Sequence, residues 1–147
     1  MNEETLEISF VNDLKEIARV AEQIDEFCAS QDLTSEVAYA ANLALDEILT
    51  NTISYGYDDD EPHRIEIIVS LEAEVLVIVI ADDSAAFDLS NAPTPDTGAS
   101  LEERPLGGLG LFLVHQMMDS VEYRREEGHN IVTLRKNKAA EPRPEDG

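Results

Sequence analysis

At 147 residues, with 43% hydrophobic and 29% charged side chains, the chain has the size and composition of one globular domain with a real core. Its 32 acidic residues against 10 basic ones give a formal net charge of −22. Such a surface repels phosphate backbones and anionic lipid, so nucleic-acid and membrane binding are not expected; a basic partner surface or solubility alone would each account for it.

The first residues are acidic rather than basic, and no apolar run approaches membrane-spanning length, which together predict a cytoplasmic protein. The one cysteine, Cys28, has no partner for an internal disulfide and falls in an apolar helical pattern, so a buried thiol is expected. His63, His115 and His129 are scattered without ligand-like spacing and predict no zinc site.

Leu6, Ile8 and Phe10 alternate with polar residues and predict a half-buried first strand. Asn12 and Asp13 then offer a helix start, with Glu16 at capping-box spacing from Asp13. Leu14, Ile17, Val20, Ala21, Ile24 and Phe27 mark that helix's inner face, and Gln31–Asp32 forms the corner after it. Residues 34–57 predict a longer amphipathic helix, capped by Thr34 or Ser35, with Val37, Ala41, Ala44 and Ile48 as its buried stripe. Ala40, Ala44, Glu47 and Asn51 fall on one line along it, so a carboxylate and an amide continue a row begun by two alanines. A carboxylate at the edge of a buried stripe needs a polar group opposite, unless it is simply solvated at the rim.

DDDEPH, residues 58–63, is a charged turn, and Ile65, Ile67 and Val69 predict a strand with one apolar face. Glu72–Ala73–Glu74 reads as a hairpin connection into Val75–Ala81, apolar on both faces as expected of a central strand. Asp82 closes the row Leu76, Ile78, Ile80 on one of those faces. Residues 88–106, with Pro93, Pro95, Pro105 and Gly98, predict a long loop, of a length associated with functional lids or disorder. GGLGLFLVHQMMD, residues 107–119, is a glycine turn running into an apolar helix. Val121 and Tyr123 predict a strand, Arg125 to Asn130 a turn containing Gly128, and Ile131 to Arg135 the last strand. The Pro-rich, charged tail 139–147 is predicted to be disordered. This order of elements predicts an α+β two-layer sandwich, a mixed or antiparallel sheet with helices on one face, forming a single domain over residues 1–138.

Gly108 and Gly110 at the start of a helix leave backbone N–H groups free at a positive helix end, which suits phosphates. A dinucleotide fingerprint is excluded, because a polar loop precedes the glycines and Leu113 stands at the third-glycine position; no Walker-type lysine follows either. Asp82 either caps the turn after its strand or accepts a hydrogen bond from the exocyclic amine of adenine, where guanine presents a carbonyl oxygen. In the second case Leu76, Ile78 and Ile80 would wall a slot for a flat ring. Asn51 either eases a helix end or offers its carbonyl oxygen to magnesium. Glu47, one turn earlier, is placed to accept a proton in phosphoryl transfer. Arg104, the cation near the glycines, either meets a phosphate or is solvated.

EILTN (47–51), ADDSAAFD (81–88) and GGLGLFLV (107–114), in this order, resemble the N box and the two glycine boxes of the histidine-kinase-like ATPase (GHKL) superfamily. The resemblance runs over residues 6–136. The Phe87–Asp88 pair and the run GGLGLFLVHQMMDSVEYRREEG are similar to its short branch, the anti-sigma-factor serine/threonine kinases. It implies a GHKL fold with a Bergerat-type ATP site, ATP and Mg2+ as cofactors, and residues 88–106 as the ATP lid. Carried over, Glu47 is the catalytic base and Asn51 the magnesium ligand, while Asp82 binds the adenine amine and Gly108 and Gly110 contact phosphates. Ser84, Gly107, Leu109, Leu111 and Asn130 complete the implied ATP-binding set, Asn130 falling near a threonine that the family uses beside the adenine. Ser84 departs from the pattern, which has glycine there; a side chain at that place strains the turn if φ is positive. The implied partners are an anti-sigma-factor antagonist of the STAS type and a sigma factor, with a homodimer as a further possibility. Two alternatives stand beside the kinase: a nucleotide-dependent or nucleotide-free binding module without transfer chemistry, and plain ATP hydrolysis.

Overall fold

The computed structural model describes residues 5–86 and 108–138, so the lid 88–106, Phe87, Asp88, Arg104, Gly107 and the tail lie outside the described residues. The elements are β1 (Thr5–Val11), α1 (Glu16–Ser30), α2 (Ser35–Tyr55), β2 (Arg64–Glu72), β3 (Val75–Asp82), α3 (Gly108–Met117), β4 (Ser120–Glu126) and β5 (His129–Asn137). The five strands form one sheet in the order β1-β2-β3-β5-β4, every neighbouring pair antiparallel. This is the expected α+β sandwich, with the sheet wholly antiparallel among the described residues.

The core explains the layering. Ile8 and Phe10 of β1, Ile65, Ile67 and Val69 of β2, Leu76, Ile78 and Ile80 of β3, and Val132 and Leu134 of β5 share one face by strand alternation and register, and all are buried. Val20 and Ile24 of α1, Leu45, Ile48 and Leu49 of α2, and Leu111 and Val114 of α3 close over that face. β3 is central as its composition predicts, yet no helix among the described residues covers its other face. There Val77 is buried, while Val75, Val79 and Ala81 are only half buried.

Local chemistry sets the helix ends. Thr34 caps α2, its hydroxyl accepting from the Val37 N–H at 3.1 Å. The capping box from Asp13 to Glu16 does not form. Asp13 Oδ1 accepts from the Lys15 N–H at 2.9 Å, only two residues on, so α1 starts at Glu16, whose carboxylate pairs with Arg19 instead. α1 ends in a Schellman motif: Leu33 N–H reaches the Cys28 carbonyl at 2.9 Å and Asp32 N–H the Ala29 carbonyl at 3.1 Å. That motif puts Asp32 at φ 59°, a left-handed position that glycine usually fills. Cys28 is buried, and burial followed by the nearby Asp25 charge pushes its thiol up to about 11, an inert group at neutral pH.

The β4–β5 connection is shorter than the sequence predicts. Only Glu127 and Gly128 form the turn, both at positive φ (52° and 80°), as a two-residue hairpin with primed-turn twist requires. Arg125 and Asn130, expected in a loop, are therefore paired strand residues opposite one another. Among the described residues, no helix is long and apolar enough to cross a membrane.

Candidate functional site

The last turns of α2 pass over the ends of β3 and β5. Gly56, just beyond α2, makes the close approach possible: a β-carbon there would lie 2.6 Å from the Thr52 carbonyl oxygen and 2.7 Å from Ser84 Cβ. The Ala85 N–H donates to the Gly56 carbonyl at 2.9 Å and ties the chain after β3 to this corner. Between the layers lies a hollow of about 150 Å³. Ile48, Asn51, Thr52, Tyr55 and Gly56 line it from the α2 side, Asp82, Ser84, Ala85 and Ala86 from the end of β3, and Asn130 and Val132 from β5.

Four of the site residues read from the sequence thus meet at one hollow: Asn51, Asp82, Ser84 and Asn130. Asp82 is 4% exposed, and its Oδ1 accepts from the Ser84 N–H at 3.0 Å, the Ser84 hydroxyl and the Asn130 amide at 3.1 Å. Oδ2 accepts from none of the described residues. Ser84 is itself buried and does not have a positive φ, so the strain expected from placing a side chain there is absent. The Asn51 amide nitrogen is buried without a hydrogen-bond partner among the described residues. The two ends of an amide are told apart only by their partners, so in either orientation one polar end of Asn51 stands unengaged at the hollow.

Glu47 does not line the hollow. One turn before Asn51 on α2, it sits against the first turn of α3, so close that a β-carbon on Gly110 would overlap its carboxylate. The amide–carboxylate row of α2 and the glycine helix start are therefore neighbours. Leu111 sends its side chain into the core, while the Leu109 side chain is outside what is described.

One expectation fails. Leu76, Ile78 and Ile80 are fully buried in the core and do not wall the hollow; Ile48 and Val132 do. Period-two alternation placed them on Asp82's face but could not tell that the helix layer closes over that row and leaves its end at the hollow. Tyr55 at the hollow's edge was missed, although it stands four residues after Asn51 and so on the same helical face. Tyr123 and Arg125, which hold Asn130, gave no signal without the strand register.

Beside the hollow, the Tyr57 ring stacks on His63 with centroids 4.3 Å apart. His63 bonds Asp59 at 2.8 Å through Nε2 and Asp83 at 3.1 Å through Nδ1, contacts that raise its pKa. Burial pushes the Tyr57 phenol upward, and the Asp82 and Asp83 charges add to it; the hydroxyl lies near Asp83 without reaching hydrogen-bond geometry to any described group.

The family model for the histidine kinase-like ATPase domain matches residues 10–136. A serine/threonine-protein kinase of Bordetella bronchiseptica, BtrW, is 30% identical over 108 residues, covering 74% of this chain and 76% of that protein. The serine-protein kinase RsbW of Bacillus cereus is 30% identical over 94 residues, covering 61% of this chain and 58% of that protein. RsbW of Listeria monocytogenes is 29% identical over a match of 94 residues, 60% of its length. The matches thus span less than two thirds of these two RsbW proteins. In the crystal structure of a Mycobacterium tuberculosis protein comprising RsbU and RsbW domains, 94% of this chain superposes on 33% of that chain with a TM-score of 0.65 and 13% identity, a likeness of fold.

Proposed function

The chain belongs to the histidine kinase-like ATPase domain family, and from that premise we propose that it is a Mg-ATP-dependent protein serine/threonine kinase. The observation that carries the reading is the meeting, at one hollow, of an Asp82 oxygen and an Asn51 amide end that have no partner among the described residues. A hollow of about 150 Å³ with apolar walls (Ile48, Val132) beside polar groups (Asn51, Asp82) suits the edge of a flat, polar-rimmed base and leaves sugar and phosphates outside it. Asp82 Oδ2 accepts the exocyclic amine of adenine, with Ile48 and Val132 against the ring and Tyr55 at the edge. The phosphates lie toward the positive N-terminus of α3.

Magnesium fits the residues present: Asn51 offers one amide oxygen, and Mg2+ is commonly bound by one or two protein oxygens together with substrate phosphates and water. When bound it neutralises charge developing on the phosphates. Glu47 accepts the proton of a serine or threonine hydroxyl as that oxygen bonds to the terminal phosphorus of ATP, and the bond to ADP breaks. Glu47 also favours transfer over the binding-module alternative, because a pure binder needs no base beside the phosphates.

The protein substrate in this reading is a small anti-sigma-factor antagonist of the STAS type, with a sigma factor as the other partner held in turn. The names of the kinase relatives support a protein serine or threonine as acceptor, and the motif resemblance supports the antagonist and the sigma factor. A pull-down with and without Mg-ATP, followed by phosphosite mapping on the captured protein, tests it. A phosphoserine or phosphothreonine that is absent with Glu47→Ala is expected. Capture without phosphate on any bound protein would reject the kinase and leave the binding module or plain ATP hydrolysis.

A further inference from the structure

The final ladder row of the sheet carries three polar side chains in line. Asp82 of β3 faces Asn130 of β5, and Asn130 faces Arg125 of β4. Arg125 is not part of the hollow, yet its Nη1 donates to Asn130 Oδ1 at 2.9 Å and to the Ser84 carbonyl at 3.0 Å, and its Nη2 to the Gly128 carbonyl at 3.2 Å. The Tyr123 hydroxyl donates to the same Asn130 oxygen at 2.7 Å. Two donors on that oxygen decide which way the amide points, since reversing it would set an NH2 group against a guanidinium. Asn130 Nδ2 is thereby turned toward Asp82 Oδ1 (3.1 Å), Ser84 Oγ (3.0 Å) and the Ala85 carbonyl (2.9 Å). With both Ser84 donors also on Oδ1, the carboxylate cannot rotate without breaking all three bonds. Buried networks of this kind are strongest when every member is satisfied.

The geometry points to Arg125, acting through Asn130, and the Ser84 hydroxyl as positioning residues that commit Asp82 to reading one N–H donor, the exocyclic amine of a 6-aminopurine nucleotide, with Oδ2 alone. This deepens the nucleotide reading above and rests on it. Ser84, placed where the resembling family has glycine, supplies a donor that glycine lacks. A base presenting a carbonyl oxygen at that place meets a carboxylate that cannot turn away, so the brace sets discrimination between ATP and GTP as well as affinity.

The test is calorimetric titration of ATP and GTP into the wild type, Arg125→Ala and Ser84→Ala, each variant also in an Asp82→Asn background. Each single variant is expected to weaken ATP about ten-fold, the size of one lost hydrogen bond to a charged group, to tighten GTP slightly as the carboxylate becomes free to turn away, and so to narrow the ATP/GTP ratio. In the Asp82→Asn background both losses vanish, because the carboxylate to be positioned is gone. Equal losses in both backgrounds, or unchanged ATP affinity, would overturn the proposal. Should Arg125→Ala fail to fold, Ser84→Ala, which removes a single hydroxyl, carries the comparison. If the wild type binds neither nucleotide, the adenine reading falls, and the brace is judged by NMR. Asn130 side-chain amide protons that exchange slowly in the wild type and fast in a braceless variant support it; unchanged exchange overturns it.

Discussion

The sheet end and the helix end of the hollow are finished to different degrees. At the sheet end Asp82, Ser84 and Asn130 are buried with their hydrogen bonds made among themselves and to Arg125 and Tyr123, all but one carboxylate oxygen. At the helix end the Asn51 amide nitrogen is buried with no partner among the described residues, and one turn back along α2, outside the hollow, Glu47 leans on the first turn of α3. A buried polar atom without a partner costs about 1–3 kcal/mol, a penalty that a bound ligand would relieve. The difference separates two tasks. On the proposed reading, groups that choose a ligand are held in place by the sheet beforehand, and groups that act on it are left open.

The strongest way to break that contrast is at the open end. Glu47→Ala should lower phosphoryl transfer by about 10²–10⁴-fold, the usual share of a general base, while ATP affinity by calorimetry stays as it was. Loss of ATP binding in that variant would move Glu47 from chemistry to binding. Gly110→Ala is subtler. Its new methyl meets the far end of a flexible side chain, so the carboxylate swings aside and the fold survives. Thermal unfolding should be unchanged or improved, by up to about 1 kcal/mol of helix propensity, and transfer should fall by up to about 100-fold from misplacement of the base. A destabilised Gly110→Ala would mean that the contact is structural packing.

Away from both ends, only small effects are expected. Asp32→Gly relaxes the left-handed corner after α1 and should add about 0.5–1 kcal/mol to stability in denaturant titration, with no effect on nucleotide. His63, bonded to Asp59 and Asp83 and stacked on Tyr57, has its pKa raised above the ordinary 6.5. Its contribution is therefore full below about pH 6.5 and is lost as pH rises through the raised folded-state value. The melting temperature of the wild type should fall across that range by slightly more than that of His63→Gln. Parallel curves would show that the Asp59 and Asp83 contacts of His63 add nothing to the corner.

Much of the helix end was legible because helical spacing is a local property. Thr34, Glu47, Asn51 and the glycine start of α3 each announce themselves within a few residues of sequence, as does Asp82 at the end of an apolar run. The sheet end was harder. Asn130 looked like a loop residue because Gly128 suggested a wide turn, whereas two left-handed residues close the hairpin and extend both strands. Arg125 and Tyr123 reach Asn130 across a strand pair, and register is not visible before the turn is known. The Asp13 start misled for the opposite reason: its side chain had a nearer backbone donor at Lys15 than the capping box assumes.

The most direct trial of nucleotide reading by Asp82 is calorimetric titration of Mg-ATP into the wild type and Asp82→Asn, with Mg-GTP alongside. Measurable ATP binding is predicted, weakened about 10- to 100-fold by the substitution, as expected for a hydrogen bond to a charged group, together with much weaker GTP binding to the wild type. Equal affinity of wild type and Asp82→Asn for ATP, or equal affinity of the wild type for both nucleotides, would contradict it.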